Sequence, residues 1–311
     1  MKRYITVDGG TTNTRVSLVE DRTVVASKKI SRGAKAGIDD RDGLKIALKD
    51  TISAILSESS LSEKDIIKVL ASGMITSEFG LYEVPHIIAP AGIEELHNTM
   101  VEVKFPEICS IPFVFVRGVK ILGGSLASTD IIRGEETELI GIMGDNEGEC
   151  VYVLPGSHSK LIKTDSQGKI AEFSTMLTGE MIASLSANTI LKDAVDLSIS
   201  DYDVEHLLLG YSYALEKGLN NALFKVRILK NVMKKSPQEV YSFFIGATLS
   251  GEIREILSLD TKRVVIGGRA QIKNATAIIL QRFSDKEIIV LDDKMVDCST
   301  SVGVIKIFEY K

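Results

Sequence analysis

The run VDGGTTN at residues 7–13 crowds an aspartate, two glycines, two threonines and an asparagine into one turn-forming stretch. Gly9 and Gly10 let the main chain come close to a ligand oxygen, and Thr11, Thr12 and Asn13 add hydroxyl and amide donors where main-chain N–H groups converge. That combination suits a phosphate. Asp8 ends an apolar run and offers oxygens to Mg2+ or its waters, because a hard cation prefers oxygen ligands. A plain hairpin turn would account for the same residues, so the weight comes from recurrence. LPGSHSK at 154–160 is a second such cluster, with Gly156, Ser157, His158 and Ser159. VVIGGR at 264–269 runs an apolar strand into Gly267 and Gly268, a shape suited to covering a flat adenine with main chain alone. His158 serves a tight loop equally well as a structural ring with one donor and one acceptor.

The elements that must position these residues read as a repeated pattern. Residues 3–7, 14–19 and 23–30 are rich in β-branched side chains and separated by turn formers, which predicts an antiparallel meander. Leu44, Ile46, Leu48, Ile52, Ile55 and Leu56 then predict a helix over 43–57, followed by a short strand at 67–71 that ends in Ser72 and Gly73. A second series begins near residue 113 and leads to a second meander, with strands around 150–156, LIKT and IAEFST. Helices fill 180–258, one of them starting near Pro237. A strand at 263–268, a helix through about 280, a strand at 288–291 and a last segment at 300–309 close the chain. The passages 4–30 and 150–175 share one order of strand, glycine-bearing turn and strand, as a duplicated topology would.

Composition narrows the class. The chain has 311 residues, 44% hydrophobic and 25% charged, enough for about two domains with full cores. A net charge of −5 argues against a nucleic-acid or anionic-membrane partner, which would favour a basic face. Cys109, Cys150 and Cys298 are widely spaced and form no C-x-x-C pair, so neither a disulfide framework nor a zinc site is expected and a reducing cytoplasm fits best. No signal-peptide pattern or apolar stretch of membrane-spanning length occurs.

The order of two phosphate turns and a Gly-Gly strand end resembles the actin/hexokinase/Hsp70 superfamily. RGEETELIG (133–141), VYVLPGSHSK (151–160), TMLTGEM (175–181), ASGMITSEFG (71–80) and LEKGLNN (215–221) look like the 2-dehydro-3-deoxygalactonokinases. The resemblance covers essentially the whole chain. One departure is the first turn, where that family often shows a tryptophan and this chain, which has none, shows VDGGTTN.

The resemblance implies an α/β, two-lobed, ribonuclease H-like duplicated fold, each lobe a mixed sheet flanked by helices, with a cleft between. Residues 1–117 with 295–311 would form one lobe and 118–294 the other, hinged near residue 118. It also implies ATP-dependent, Mg2+-assisted phosphorylation of the 6-hydroxyl of 2-dehydro-3-deoxy-D-galactonate by a chain that works alone or as a homodimer. A carboxylate must accept the hydroxyl proton, and Glu136 ranks ahead of Glu135 because a similar acidic residue in hexokinase-like members stands just before a helix. The pair serves equally as negative charge at a helix N-terminus. For the carboxylate of a sugar acid, the candidates are Arg15, Arg117, Arg133 and Lys160, each also readable as a solvated charge or structural ion pair. Thr178 and Glu180 would meet substrate hydroxyls, or simply cap a helix. A kinase for another small carbohydrate, or a non-catalytic nucleotide switch, would share the same turns.

Overall fold

The computed structural model describes residues 1–34, 41–144, 148–268 and 270–311. The chain divides into two compact units, one of Met1–Glu147, Asp165–Glu172 and Lys294–Lys311, the other of Gly148–Thr164 and Phe173–Asp293. The sequence reading changes lobe near residue 118; the compact division falls after Glu147. A pair of helices, described below, explains why the intervening segment stays with the first unit.

In the first unit, β1 (Arg3–Gly9), β2 (Thr14–Glu20) and β3 (Thr23–Ile30) form the expected meander. α1 (Arg41–Glu58) follows, and the chain returns through β4 (Val69–Gly73) parallel to β1. Leu44, Leu48, Ile52 and Ile55 bury one stripe of α1, whereas Ile46 is 60% exposed because two residues along a helix is more than half a turn. β4 is buried throughout, as a parallel strand covered on both faces must be. β5 (Ile87–Ile88), α2 (Ile93–Asn98), β6 (Val101–Val103), β7 (Phe113–Phe115), β8 (Val119–Leu122), β9 (Thr129–Ile132) and α3 (Glu135–Ile142) complete this stretch. The main sheet has the order β3-β2-β1-β4-β7-β6, and a small sheet has the order β5-β8-β9.

The second meander is β10 (Cys150–Leu154), β11 (Ser159–Thr164) and β12 (Ile170–Met176). It leads to α4 (Thr178–Asn188), α5 (Val204–Lys217), α6 (Leu219–Asn231) and α7 (Pro237–Ser258). Pro237 occupies the first turn of α7, and Ser236 and Glu239 close a capping box around it, with Glu239 accepting from the Ser236 main-chain N–H at 2.7 Å. β13 (Arg263–Ile266), α8 (Ala270–Phe283), β14 (Glu287–Val290) and α9 (Asp293–Phe308) end the chain, so the last segment is a helix. The five-stranded sheet has the order β12-β11-β10-β13-β14. β10 pairs antiparallel with β11 and parallel with β13, repeating the environment of β1 between β2 and β4. Each unit has its own apolar core.

Both units also cross two helices at glycines. A Cβ on Gly141 of α3 would stand 1.9 Å from the Ser299 carbonyl of α9, and one on Gly303 of α9 would stand 1.9 Å from the Thr137 carbonyl of α3. Gly210 of α5 and Gly246 of α7 meet the Phe243 and Leu207 carbonyls in the same reciprocal way, at 2.1 and 2.0 Å. The α3 and α9 contact is main chain on main chain, which keeps α3 in the first unit.

Candidate active site

β1 and β4 end side by side at Gly9 and Gly73. Gly73 has φ +80, and a Cβ there would lie 2.5 Å from the Gly9 carbonyl oxygen, so only glycine fits. From Gly9 the chain turns through Gly10 to Asn13, closed by the Gly10 N–H donating to the Asn13 carbonyl at 2.8 Å. Thr11 and Thr12 are exposed at the tip, and Asn13 Nδ2 donates to Thr12 Oγ1 at 2.9 Å. The sequence motif is therefore an open turn with its hydroxyls outward.

Asp8 lies between Arg15 of β2 and Ser72 of β4 in the sheet register. Burial pushes its carboxyl up to about 6, with Arg15 opposing the shift and Glu135 adding to it. Arg15 is exposed and donates to the Asp297 carbonyl at 3.0 Å. Among the described residues the buried Ser72 hydroxyl has no hydrogen-bond partner.

The segment Arg133–Gly134–Glu135 enters α3, where Gly134 has φ +111 and packs on Gly73. Glu135 is partly exposed and accepts from the Arg133 main-chain N–H at 2.9 Å. Glu136 is 0% exposed, and both its oxygens turn back to the Gly134 N–H, at 2.9 and 2.8 Å. Burial, with Glu135 beside it, pushes Glu136 up to about 7. Glu138 is pushed up to about 8 by burial and by Glu135, Asp8 and Glu136. At the first position of α3 Glu135 is thus partly exposed, and at the second Glu136 is buried.

Arg133 is committed to the fold. Its guanidinium donates to the Thr76 carbonyl at 2.7 Å, to the Thr76 hydroxyl, to the Val84 carbonyl at 3.2 Å and to His86 Nδ1 at 3.2 Å. Because arginine only donates, His86 carries its proton on Nε2, and burial with Arg133 and Lys120 nearby pushes the ring down to about 4. Arg117 is likewise held by the Thr99 carbonyl at 2.7 Å and the Pro85 carbonyl at 3.0 Å.

In the second unit β10 runs into Pro155, and the turn presents Gly156, Ser157 and His158 before Ser159 opens β11. Ser157 and His158 are exposed, whereas Ser159 and Lys160 are buried. His158 Nε2 lies 3.1 Å from Glu180 Oε1, and the Glu180 main-chain N–H donates to the Ser157 carbonyl at 3.0 Å. A Cβ on Gly179 would be 2.1 Å from the Gly156 carbonyl, so the start of α4 and the turn are in main-chain contact. Thr178 is buried, with its hydroxyl donated to Glu252 at 2.6 Å, so it does not face outward as a substrate contact would. Gly267 and Gly268 follow β13. The Gly267 N–H donates to the Val153 carbonyl at 2.8 Å, and Gly268 packs on Pro155, which joins the third motif to the second. Arg269, which ends that motif, lies outside the described residues.

Sequence reasoning passed over Ser72, His86, Glu138 and Glu252. Glu138 lay within the RGEETE run, and Glu252 is an acidic residue in a helix buried almost all round from Val240 to Ser250. That helix is the signal that would have found it. His86 carried no spacing signal.

A family model described as 2-keto-3-deoxy-galactonokinase matches residues 8–299. The 2-dehydro-3-deoxygalactonokinase of Escherichia coli (strain K12) is 27% identical over 259 residues, 80% of this chain and 78% of that protein. A Rhizobium meliloti (strain 1021) relative named for the same activity is 28% identical over 198 residues, 62% of this chain and 59% of that protein. Among solved structures, one from Sinorhizobium meliloti named for the same activity superposes with a TM-score of 0.79 at 20% identity, covering 98% of this chain and 97% of that one. The activator of 2-hydroxyisocaproyl-CoA dehydratase from Clostridium difficile, solved with bound ADPNP, gives 0.51 at 13% identity, covering 99% and 95%. These likenesses show the fold, a mixed-sheet α/β fold with helices flanking the sheets. With the match running from residue 8 to residue 299, this chain belongs to the 2-keto-3-deoxy-galactonokinase family.

Proposed function

We propose that this chain is an ATP-dependent kinase that transfers the γ-phosphoryl group to the 6-hydroxyl of 2-dehydro-3-deoxy-D-galactonate, giving the 6-phosphate and ADP. The observation that carries this reading is a shared arrangement. In each unit a hairpin turn rich in glycine and hydroxyls leaves the carboxyl end of the central strand, beside a parallel strand that also ends in glycine: Gly73 in one, Gly267 and Gly268 in the other. Ligands of α/β sheets gather at those strand ends, and the family membership names the ligand class.

In this reading Gly9, Gly10, Thr11, Thr12 and Asn13 bind phosphate oxygens, as do Gly156, Ser157 and His158, and Gly267 and Gly268 cover the adenine. Glu135, rather than Glu136, takes the proton from the 6-hydroxyl as that oxygen bonds to phosphorus and the bond to the ADP oxygen breaks, because Glu135 has solvent access and Glu136 has none. Of the cations considered for the sugar-acid carboxylate, Arg15 is exposed with a bond to the Asp297 carbonyl, while Arg133 and Arg117 are less exposed and each hold two carbonyls, and Lys160 is buried.

Asp8, with the partnerless Ser72 hydroxyl beside it and two further carboxylates close enough to raise pKa values, offers oxygen donors that fit Mg2+. Among the described residues no three acidic, histidine or cysteine side chains converge as a ligand set, which suits a cation held chiefly by water and phosphate oxygens. When bound, Mg2+ would supply neutralisation of phosphate charge.

Coupled ADP release with ATP–Mg2+ and 2-dehydro-3-deoxy-D-galactonate tests the reading, run beside the gluconate epimer, galactonate and simple hexoses. Strong preference for the first compound supports it. Turnover of another compound alone changes the substrate, and ATP binding without turnover of any sugar removes the kinase. Among the described residues no helix is long and apolar enough to cross a membrane, and the proposal extends to a cytoplasmic enzyme. Light scattering reads whether it works alone or as a homodimer.

A further inference from the structure

α7 is the most deeply buried helix of the second unit, with every residue from Val240 to Ser250 buried. Glu252 follows in the same helix and is 1% exposed. Taking a carboxylate out of water costs several kcal/mol unless it is well paired, and among the described residues Glu252 has no cation among its electrostatic neighbours: burial raises its pKa, Glu255 adds to the rise, and the hydroxyls of Thr178 and Ser159 oppose it. One oxygen accepts from Thr178 Oγ1 at 2.6 Å. Its other oxygen, Oε1, and the buried Ser159 hydroxyl stand near each other, each without a partner at full hydrogen-bonding distance among the described residues. A residue kept only for stability would be apolar here, since exchanging a buried charge for a side chain of similar volume is often neutral or stabilising.

What Glu252 touches gives it a role. Thr178 opens α4 and Ser159 opens β11, and the turn carrying Gly156, Ser157 and His158 lies between those two starts. Gly179 presses on the Gly156 carbonyl, and the Glu180 N–H holds the Ser157 carbonyl at 3.0 Å, so a movement of the start of α4 moves the turn. One buried carboxyl therefore sits at the root of both elements that frame the exposed Ser157 and His158. Glu252 itself is too enclosed to reach a ligand.

We propose that Glu252 is a positioning residue for the nucleotide, setting the second phosphate turn through Thr178 and Ser159. This rests on the functional reading above. The test uses the full chain and the variants Glu252→Met, Glu252→Gln and Thr178→Val, measuring thermal unfolding with and without ATP–Mg2+, and KM for ATP apart from kcat. Glu252→Met is expected to unfold at or above the wild-type temperature without nucleotide, yet to raise KM for ATP about 10-fold and to shrink the shift that ATP gives, the scale of one lost hydrogen bond. Glu252→Gln keeps an acceptor for Thr178 and should stay within about 3-fold of wild type. Thr178→Val should reproduce the Glu252→Met effect, and the double variant should add little, because the two residues act as one unit.

A folded Glu252→Met or Thr178→Val protein with wild-type KM for ATP overturns the proposal, as does a Glu252→Met protein whose only change is lower stability. If Glu252→Met does not fold, Thr178→Val decides alone. Absence of any ATP response in the wild-type chain would instead remove the functional reading, and this role with it.

Discussion

Arg15 stands opposite Asp8 across the β1 and β2 ladder, its guanidinium anchored on the Asp297 carbonyl at 3.0 Å, and among the described residues it is the one cation that opposes the rise of the Asp8 pKa. Replacing it by glutamine leaves Asp8 with burial and Glu135 only, so its carboxyl titrates above about 6. The acid limb of kcat/KM against pH should move to higher pH in Arg15→Gln, by about one unit for each ~1.4 kcal/mol lost. An unmoved acid limb would show that Asp8 does not set it.

Asp8, Glu136 and Glu138 all have folded-state values above those of free carboxyls, at about 6, 7 and 8. The folded chain therefore binds more protons than the unfolded chain, so the stability these groups contribute is full below about pH 4 and is lost as pH rises through those values. Glu138→Gln removes the largest of the three shifts. In Mg2+-free buffer its unfolding temperature should exceed wild type by about 2–4 °C at pH 8.5 and match it at pH 5. A pH series of thermal scans reads both.

Glu135 and Glu136 separate by exposure. Glu135→Gln should lower kcat by about 10²- to 10⁴-fold at unchanged unfolding temperature. Glu136→Gln keeps one acceptor for the Gly134 N–H and should cost clearly less activity. Steady-state kinetics on both folded variants checks the order, and the reverse order would restore Glu136 as the base.

Arg133 holds carbonyls from two other segments, so its loss should loosen the entry to α3 rather than weaken substrate binding. Arg133→Lys cannot reproduce a fork of donors. KM for the sugar acid should stay within about 3-fold while the unfolding temperature falls by about 2–6 °C. A selective rise in KM at unchanged stability would make Arg133 a substrate ligand.

Gly303 meets the Thr137 carbonyl of α3. Gly303→Ala should therefore destabilise by about 1–3 kcal/mol through overpacking, and denaturant unfolding measures it.

How far the sequence carried the site depends on the kind of signal each residue leaves. Turn chemistry is local, so Gly9, Gly10 and Gly156 to His158 were legible and took the expected open turns. The repeated strand order was legible too, because β-branched runs and turn formers recur. Exposure within a pair is not local: Glu135 and Glu136 are adjacent and alike in type, and only the packing of α3 decides which one turns in. For Arg133 a sugar-acid ligand, a solvated charge and a structural ion pair all stayed open, because nothing in RGEET announces that Thr76, Val84 and His86 wait for it across the fold. Thr178 read as a helix start, which it is, but its partner Glu252 is far along the chain.

The reciprocal glycine crossings invert a common rule of protein engineering. Substituting alanine for a mid-helix glycine ordinarily gains about 1 kcal/mol, so a redesign guided by helix propensity would choose Gly141, Gly210, Gly246 and Gly303 among its first targets. In this chain those are the positions where a single methyl group has nowhere to go. Propensity-based stabilisation of this scaffold must therefore start from the outer faces of α5 and α6 and leave the four crossing points as they are.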